Sequence, residues 1–123
     1  MANILIIDDD PDVTEAGKLV LEKEGHTVTT ANNITSGKEA IEASKPDLLV
    51  LDVMMENYDD GIVMAQQLRK ESYDFPIIML SSIGKVTGNK YAEDDEMVPV
   101  NLFLEKPIYP ATLIEKVNEL LAG

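Results

Sequence analysis

Short apolar runs alternate with amphipathic stretches along the whole chain. NILII, residues 3–7, is branched and apolar and stops abruptly at Asp8, which predicts a buried strand. The next stretch, DPDVTEAGKLVLEKEG, has helical spacing. Asp10 is placed as its N-cap, Pro11 lies in the first turn, Val13, Ala16, Val20 and neighbours can supply the buried stripe, and Gly25 ends it. HTVTTA (26–31) predicts a weaker strand at a sheet edge. Ser36 and Glu39 stand at capping-box spacing and open a short second helix, Pro46 closes the connection, and DLLVLD is the most apolar strand of the first half. Residues 60–71 predict a third helix with Ile62, Ala65 and Leu68 on one face. DFPIIMLSS predicts a fourth strand ending at Ser81, and PVNLFLEKP a fifth ending before Lys106. Residues 83–98 are the least patterned, with Gly84, Gly88 and the acidic cluster Glu93–Glu96, and predict a short, irregular, mobile helix. Leu113, Ile114, Val117, Leu120 and Leu121 give a final helix with Pro110 near its start.

Five apolar strands separated by helical stretches make a (βα)5 alternation. Continuous apolar strands joined by right-handed crossovers imply a parallel sheet covered on both faces, an α/β three-layer sandwich. In such sheets a reactive site forms at the carboxyl ends of the central strands, where strand order reverses. The polar residues at those ends are Asp8 and Asp9 after the first strand, Asp52 after the third, Ser81 after the fourth and Lys106 after the fifth. The fold would gather at one rim residues that are far apart in sequence.

Composition narrows the chemistry. At 123 residues one domain, spanning 1–123, is expected. There is no cysteine, so disulfides, thiolate metal sites and cysteine nucleophiles are excluded. The opening MANILIID lacks a basic segment and a long apolar stretch, and no run is long enough to cross a bilayer; a cytoplasmic location and no membrane insertion are expected. Ten basic against 23 acidic residues leave a formal charge of -13, which argues against direct binding to nucleic acid and suits a locally basic protein partner or a cation.

Three rim carboxylates without a thiol or a nearby histidine make a hard, oxygen-rich site suited to Mg²⁺, with Mn²⁺ as a substitute. Left alone, such acids repel one another, a penalty that a divalent ion and Lys106 would remove. A site of this kind can bring an anionic phosphoryl donor to a carboxylate nucleophile, with lysine and a hydroxyl taking the remaining phosphoryl oxygens. Asp52, on the inferred central strand and flanked by apolar residues, is the best nucleophile.

In these features the chain resembles, over essentially its full length, the receiver domains of two-component response regulators. The ordered set is Asp8–Asp9, Asp52, Ser81 and Lys106–Pro107. The resemblance implies a flavodoxin-like sheet of order 2-1-3-4-5. It also implies phosphoryl transfer to Asp52 from a phosphohistidine on a sensor histidine kinase or phosphotransfer protein. Mg²⁺ would be held by Asp8 or Asp9, Asp52 and the backbone carbonyl of Met54. A switch is implied as well: Ser81 moves toward the acyl phosphate, Phe103 changes rotamer, and the Lys106–Pro107 bond is cis. The face formed by residues 81–110 would then meet a downstream protein effector. A stand-alone receiver, acting through another protein or within a relay, is the expectation.

The chain departs from the family pattern in two places. Glu56 stands where a proline is usual and the run to Asp60–Gly61 is one residue longer, so Glu56 is a candidate for tuning metal binding or phosphoryl lifetime. The segment between Ser81 and Lys106 is longer than usual and carries Gly84, Gly88 and Pro99. Asp10 to Thr14 match the Asp-x-Asp-x-Thr string of haloacid-dehalogenase-like phosphatases, but helix capping explains the same residues. His26 reads as a turn residue away from the site. The alternative function is a phosphorylation-independent interaction module; such a module would usually have lost an acidic or lysine position, and none is missing here. A dedicated hydrolase would need a general base, for which Glu56 alone is placed.

Overall fold

The computed structural model describes residues 2–53, 60–82, 100–106 and 108–122, the side chain of Ser82 apart. The described residues form β1 (Asn3–Ile7), α1 (Pro11–Lys23), β2 (Thr27–Ala31), α2 (Ile34–Ser44), β3 (Leu48–Asp52), α3 (Asp60–Lys70), β4 (Ile77–Ser82), β5 (Leu102–Lys106) and α4 (Pro110–Ala122). The strands make one parallel sheet of order β2-β1-β3-β4-β5, the flavodoxin-like arrangement. Strand order reverses between β1 and β3, so their carboxyl ends flank the crevice where such folds bind ligands.

Strand alternation builds both cores. Leu5, Ile7, Leu49, Leu51, Ile77 and Met79 pack on one face with α2 and α3 residues such as Ile41, Met64 and Leu68. Ile4, Ile6, Leu48, Val50, Ile78 and Leu80 pack on the other with Leu21 of α1 and Leu113 and Val117 of α4. With both faces covered, the inner strands β1, β3 and β4 need apolar residues through their length, which is why they read as apolar runs up to their polar ends.

The helix ends follow local chemistry. Asp10 caps α1, its side chain accepting from the Asp12 N–H, and Pro11 occupies the first turn. Gly25, at φ 94°, takes the left-handed conformation just past the end of that helix. Two expectations are corrected. Ser36 does not open α2: Asn33 is the cap, accepting from the Ser36 N–H at 2.8 Å, and the helix starts at Ile34. The buried stripe of α1 is Thr14, Gly17 and Leu21, whereas Val13 and Val20 are half-buried and Ala16 is exposed. His26 lies far from the rim and accepts the Ala2 N–H at its Nδ1, as a turn residue would. The segment 83–98, with its expected irregular helix, lies outside the described residues.

Asn101 fastens the lower end of β5. Its N–H donates to the Ile77 carbonyl and its Oδ1 accepts the Ile77 N–H, both at 2.9 Å, while Arg69 donates to the same Oδ1 at 3.3 Å. The side chain thus completes the ladder where the strand has not yet begun. Ile77 is fully buried, so Asn101→Ala would leave its N–H without this acceptor. The expected loss is about 1–3 kcal/mol of stability, read as a lower urea midpoint. An unchanged midpoint would show that the clasp contributes nothing net.

Candidate functional site

Three strands deliver the site by the same period-two rule. On the face shared with α1 and α4, Ile4 and Ile6 lead to Asp8, Leu48 and Val50 lead to Asp52, and Leu102 and Leu104 lead to Lys106. Each polar residue takes the next position of an apolar row, at the point where the row emerges from the core. Asp8 is completely buried and Asp52 is 3% exposed. Asp9 follows Asp8 in the chain and is exposed.

Lys106 holds the two buried acids together. Its Nζ lies 2.9 Å from Asp8 Oδ2 and 3.3 Å from Asp52 Oδ1. Burial works against its ammonium, but contact with Asp8 and Asp52 outweighs that and raises its pKa above the ordinary lysine value. The pKa of Asp9 is also raised, first by what burial it has and then by the neighbouring charge of Asp8, with Lys106 pulling the other way. Asp8 is further fixed by the Asp10 N–H, which donates to its Oδ1 at 2.9 Å.

Carboxylate oxygens of Asp8, Asp9 and Asp52 lie within 4.8 Å of one another. Asp8 Oδ2 is buried, and the Lys106 ammonium faces it at 2.9 Å. Among the described residues, three carboxylates and one ammonium leave two negative charges in a small volume. An oxygen-only donor set and that residual charge fit a hard divalent cation.

Ser81 is buried, at 7% exposure, one step beyond Leu80 on β4. Alternation therefore places it on the opposite face of the sheet from the Asp8–Asp52–Lys106 row, the same face as Met79 and Phe103. Phe103 is half-buried and packs against the core of that face. Ser81 and Phe103 are thus brought to one side of β4 and β5, while the acids and the lysine share the other. Met54, Glu56 and Pro107 lie outside the described residues.

The start of α3 is bonded to the residue that follows β3. The Gly61 N–H, in the first turn of α3, donates to the Val53 carbonyl at 2.8 Å. Sequence reasoning took Asp60–Gly61 only as a helix start; a glycine beside a helix-opening acid does not reveal which backbone it will touch.

A family model described as the response regulator receiver domain matches residues 4–118. The chain belongs to this family. Receiver domains are the phosphoacceptor modules of two-component systems. Among curated relatives, the receiver is 35% identical over 123 residues to the transcriptional regulatory protein CseB of Streptomyces avermitilis, covering 97% of this chain and 48% of the relative. It is 35% identical over 131 residues to protein PilH of Pseudomonas aeruginosa, covering all of both. The chain spans about half the length of the first curated relatives it matches. The receiver domain of the Francisella response regulator 1452 superposes with a TM-score of 0.85 at 31% identity, over 99% of this chain and 98% of that one. The BeF3-activated receiver domain of Klebsiella pneumoniae RstA gives 0.84 at 26% identity, over 98% and 99%. No helix among the described residues is long and apolar enough to cross a membrane.

Proposed function

We propose that Asp52 is the phosphoacceptor of this receiver and that the phosphoryl group comes from a phosphohistidine on a sensor kinase or phosphotransfer protein. The observation that carries this reading is the buried Asp52 carboxylate, held by Lys106 at the carboxyl end of the sheet beside Asp8 and Asp9. In the reaction a carboxylate oxygen of Asp52 attacks phosphorus, the P–O bond forms as the P–N bond to histidine breaks, and the electron pair leaves on the imidazole. Asp52 starts from a fixed position because it pairs with Leu80 of β4 and the preceding Leu51 pairs with both β1 and β4. Lys106, already placed between two acids, supplies positive charge for a phosphoryl oxygen and needs no large reorganisation to do so.

Asp8, Asp9 and Asp52 are the residues that would hold Mg²⁺, or Mn²⁺ in its place, together with the Met54 carbonyl implied by the family. Bound there, the ion would offset the charge of the phosphoryl oxygens. Ser81 and Phe103 serve as the switch pair, sharing a face and standing on the two strands nearest the 81–110 surface. That surface is the proposed meeting place with a downstream protein effector. The formal charge of -13 favours locally basic protein partners and disfavours direct contact of these 123 residues with nucleic acid.

Incubation with a small phosphodonor and Mg²⁺, followed by intact mass, tests the reading. One phosphoryl adduct that requires the divalent ion is expected. A folded protein that accepts no phosphoryl group from small donors or a phosphohistidine protein would instead be a phosphorylation-independent interaction module.

A further inference from the structure

We infer that Gly61 is a positioning residue for phosphoryl transfer, because only a residue without a Cβ lets the start of α3 close onto the backbone of Asp52. This inference rests on the assignment of Asp52 as the phosphoacceptor.

A Cβ built on Gly61 would lie inside the van der Waals envelope of the Asp52 carbonyl oxygen. It would also stand 2.8 Å from Val53 Cα and 2.9 Å from the Asp52 carbonyl carbon. Every one of these atoms is main chain, so none can swing aside as a side-chain tip can. Ordinary contact begins near 3.4 Å, so an alanine would push the start of α3 and the end of β3 apart by around an ångström or more. The seam is also bonded: the Gly61 N–H donates to the Val53 carbonyl at 2.8 Å, while the Val53 N–H donates to Leu80 on β4 at the same distance. Movement at Gly61 is therefore passed to the peptide that carries the proposed nucleophile and to its neighbour strand.

The other buried helix glycines differ in kind. A Cβ at Gly17 would meet Ile6 Cδ1 at 2.8 Å and Leu113 Cδ2 at 3.9 Å, both ends of flexible side chains. Gly17 thus fits a helix against a core, whereas Gly61 fits a helix against the reacting strand. Misplacing a reacting group by about 1 Å costs up to 10²-fold in rate, because in-line transfer needs both reacting atoms in line.

The test compares wild type, Gly61→Ala and Gly17→Ala with acetyl phosphate and saturating Mg²⁺, each variant checked for cooperative unfolding well above the assay temperature. Gly61→Ala is expected to lower the maximal phosphorylation rate by about 10- to 100-fold with the KM for donor changed by no more than about twofold. Gly17→Ala should keep the wild-type rate. Alanine is the better helix former, so without the seam the substitution at 61 would leave the rate intact and the fold as stable or more so. A folded Gly61→Ala with the wild-type maximal rate overturns the inference. Wild type that is itself not phosphorylated at Asp52 would instead overturn the assignment on which it rests. Should Gly61→Ala fail to fold, hydrogen exchange on wild type decides: a Gly61 amide protected like those of β3 upholds the seam, and one exchanging like an exposed loop amide removes it.

Discussion

Asp52→Asn should fold, and should no longer acquire a phosphoryl group from any donor. An amide nitrogen and its carbonyl oxygen are poor nucleophiles compared with a carboxylate, and the product would lack the acyl-phosphate linkage. The adduct is expected to fall below detection in intact mass, a loss of at least about 10²-fold in rate. The side chain is nearly isosteric, so the packing of Val50, Leu51 and Val53 around it should be retained. Electrostatics favours the variant as well. Asp8 and Asp52 share one ammonium in a buried setting, and removing one charge leaves the closer 2.9 Å pair of Lys106 with Asp8 intact. The variant is therefore expected to be at least as stable as wild type without a divalent ion, which separates loss of chemistry from loss of structure. Persistence of a full adduct on the folded variant would move the acceptor to another carboxylate, with Asp8 and Asp9 next to be replaced.

The fold and the rim were largely legible because both depend on one simple rule. A sheet covered on two faces demands continuous apolar strands, so the strand ends stand out wherever a charge interrupts a run. Asp8, Asp52 and Lys106 each sit two positions past an apolar residue of the same face, so period two alone places all three on one side. The same count sends Ser81 to the other face, a distinction the residue type did not suggest. What stayed hidden depends on contacts between segments. Asn33 and Ser36 are both capping residues three apart, and only the closed turn shows that Asn33 accepts the Ser36 N–H. Asn101 looks like a loop polar residue until β4 lies beside it, and Gly61 looks like a helix opener until the end of β3 does. Backbone proximity of this kind leaves no periodic trace.

Lys106→Met tests whether the charge balance of the site is as tight as its geometry. Methionine preserves much of the aliphatic stem and removes the ammonium, so the change bears mainly on Asp8 and Asp52. Asp8 is fully buried and Asp52 nearly so, and without Lys106 each loses the ammonium paired with it. Breaking a buried pair by removing one partner costs roughly 3–5 kcal/mol, and the 19% exposure of the lysine side chain places the expectation near the lower end, about 3 kcal/mol. For a chain of this length that corresponds to a fall in Tm of roughly 10 °C in chelated buffer. Mg²⁺ should narrow the gap. With the lysine gone, the three carboxylates lose its positive charge, so the variant should bind the cation more tightly and gain more stability from it than wild type does. Phosphorylation should nevertheless stay slow in saturating Mg²⁺, by about 10²- to 10³-fold, because stability and transition-state charge are separate demands on the same ammonium. Equal denaturant midpoints for variant and wild type in chelated buffer would mean that water, and not Lys106, balances these acids. The double contact at 2.9 and 3.3 Å would then have to be assigned to positioning alone.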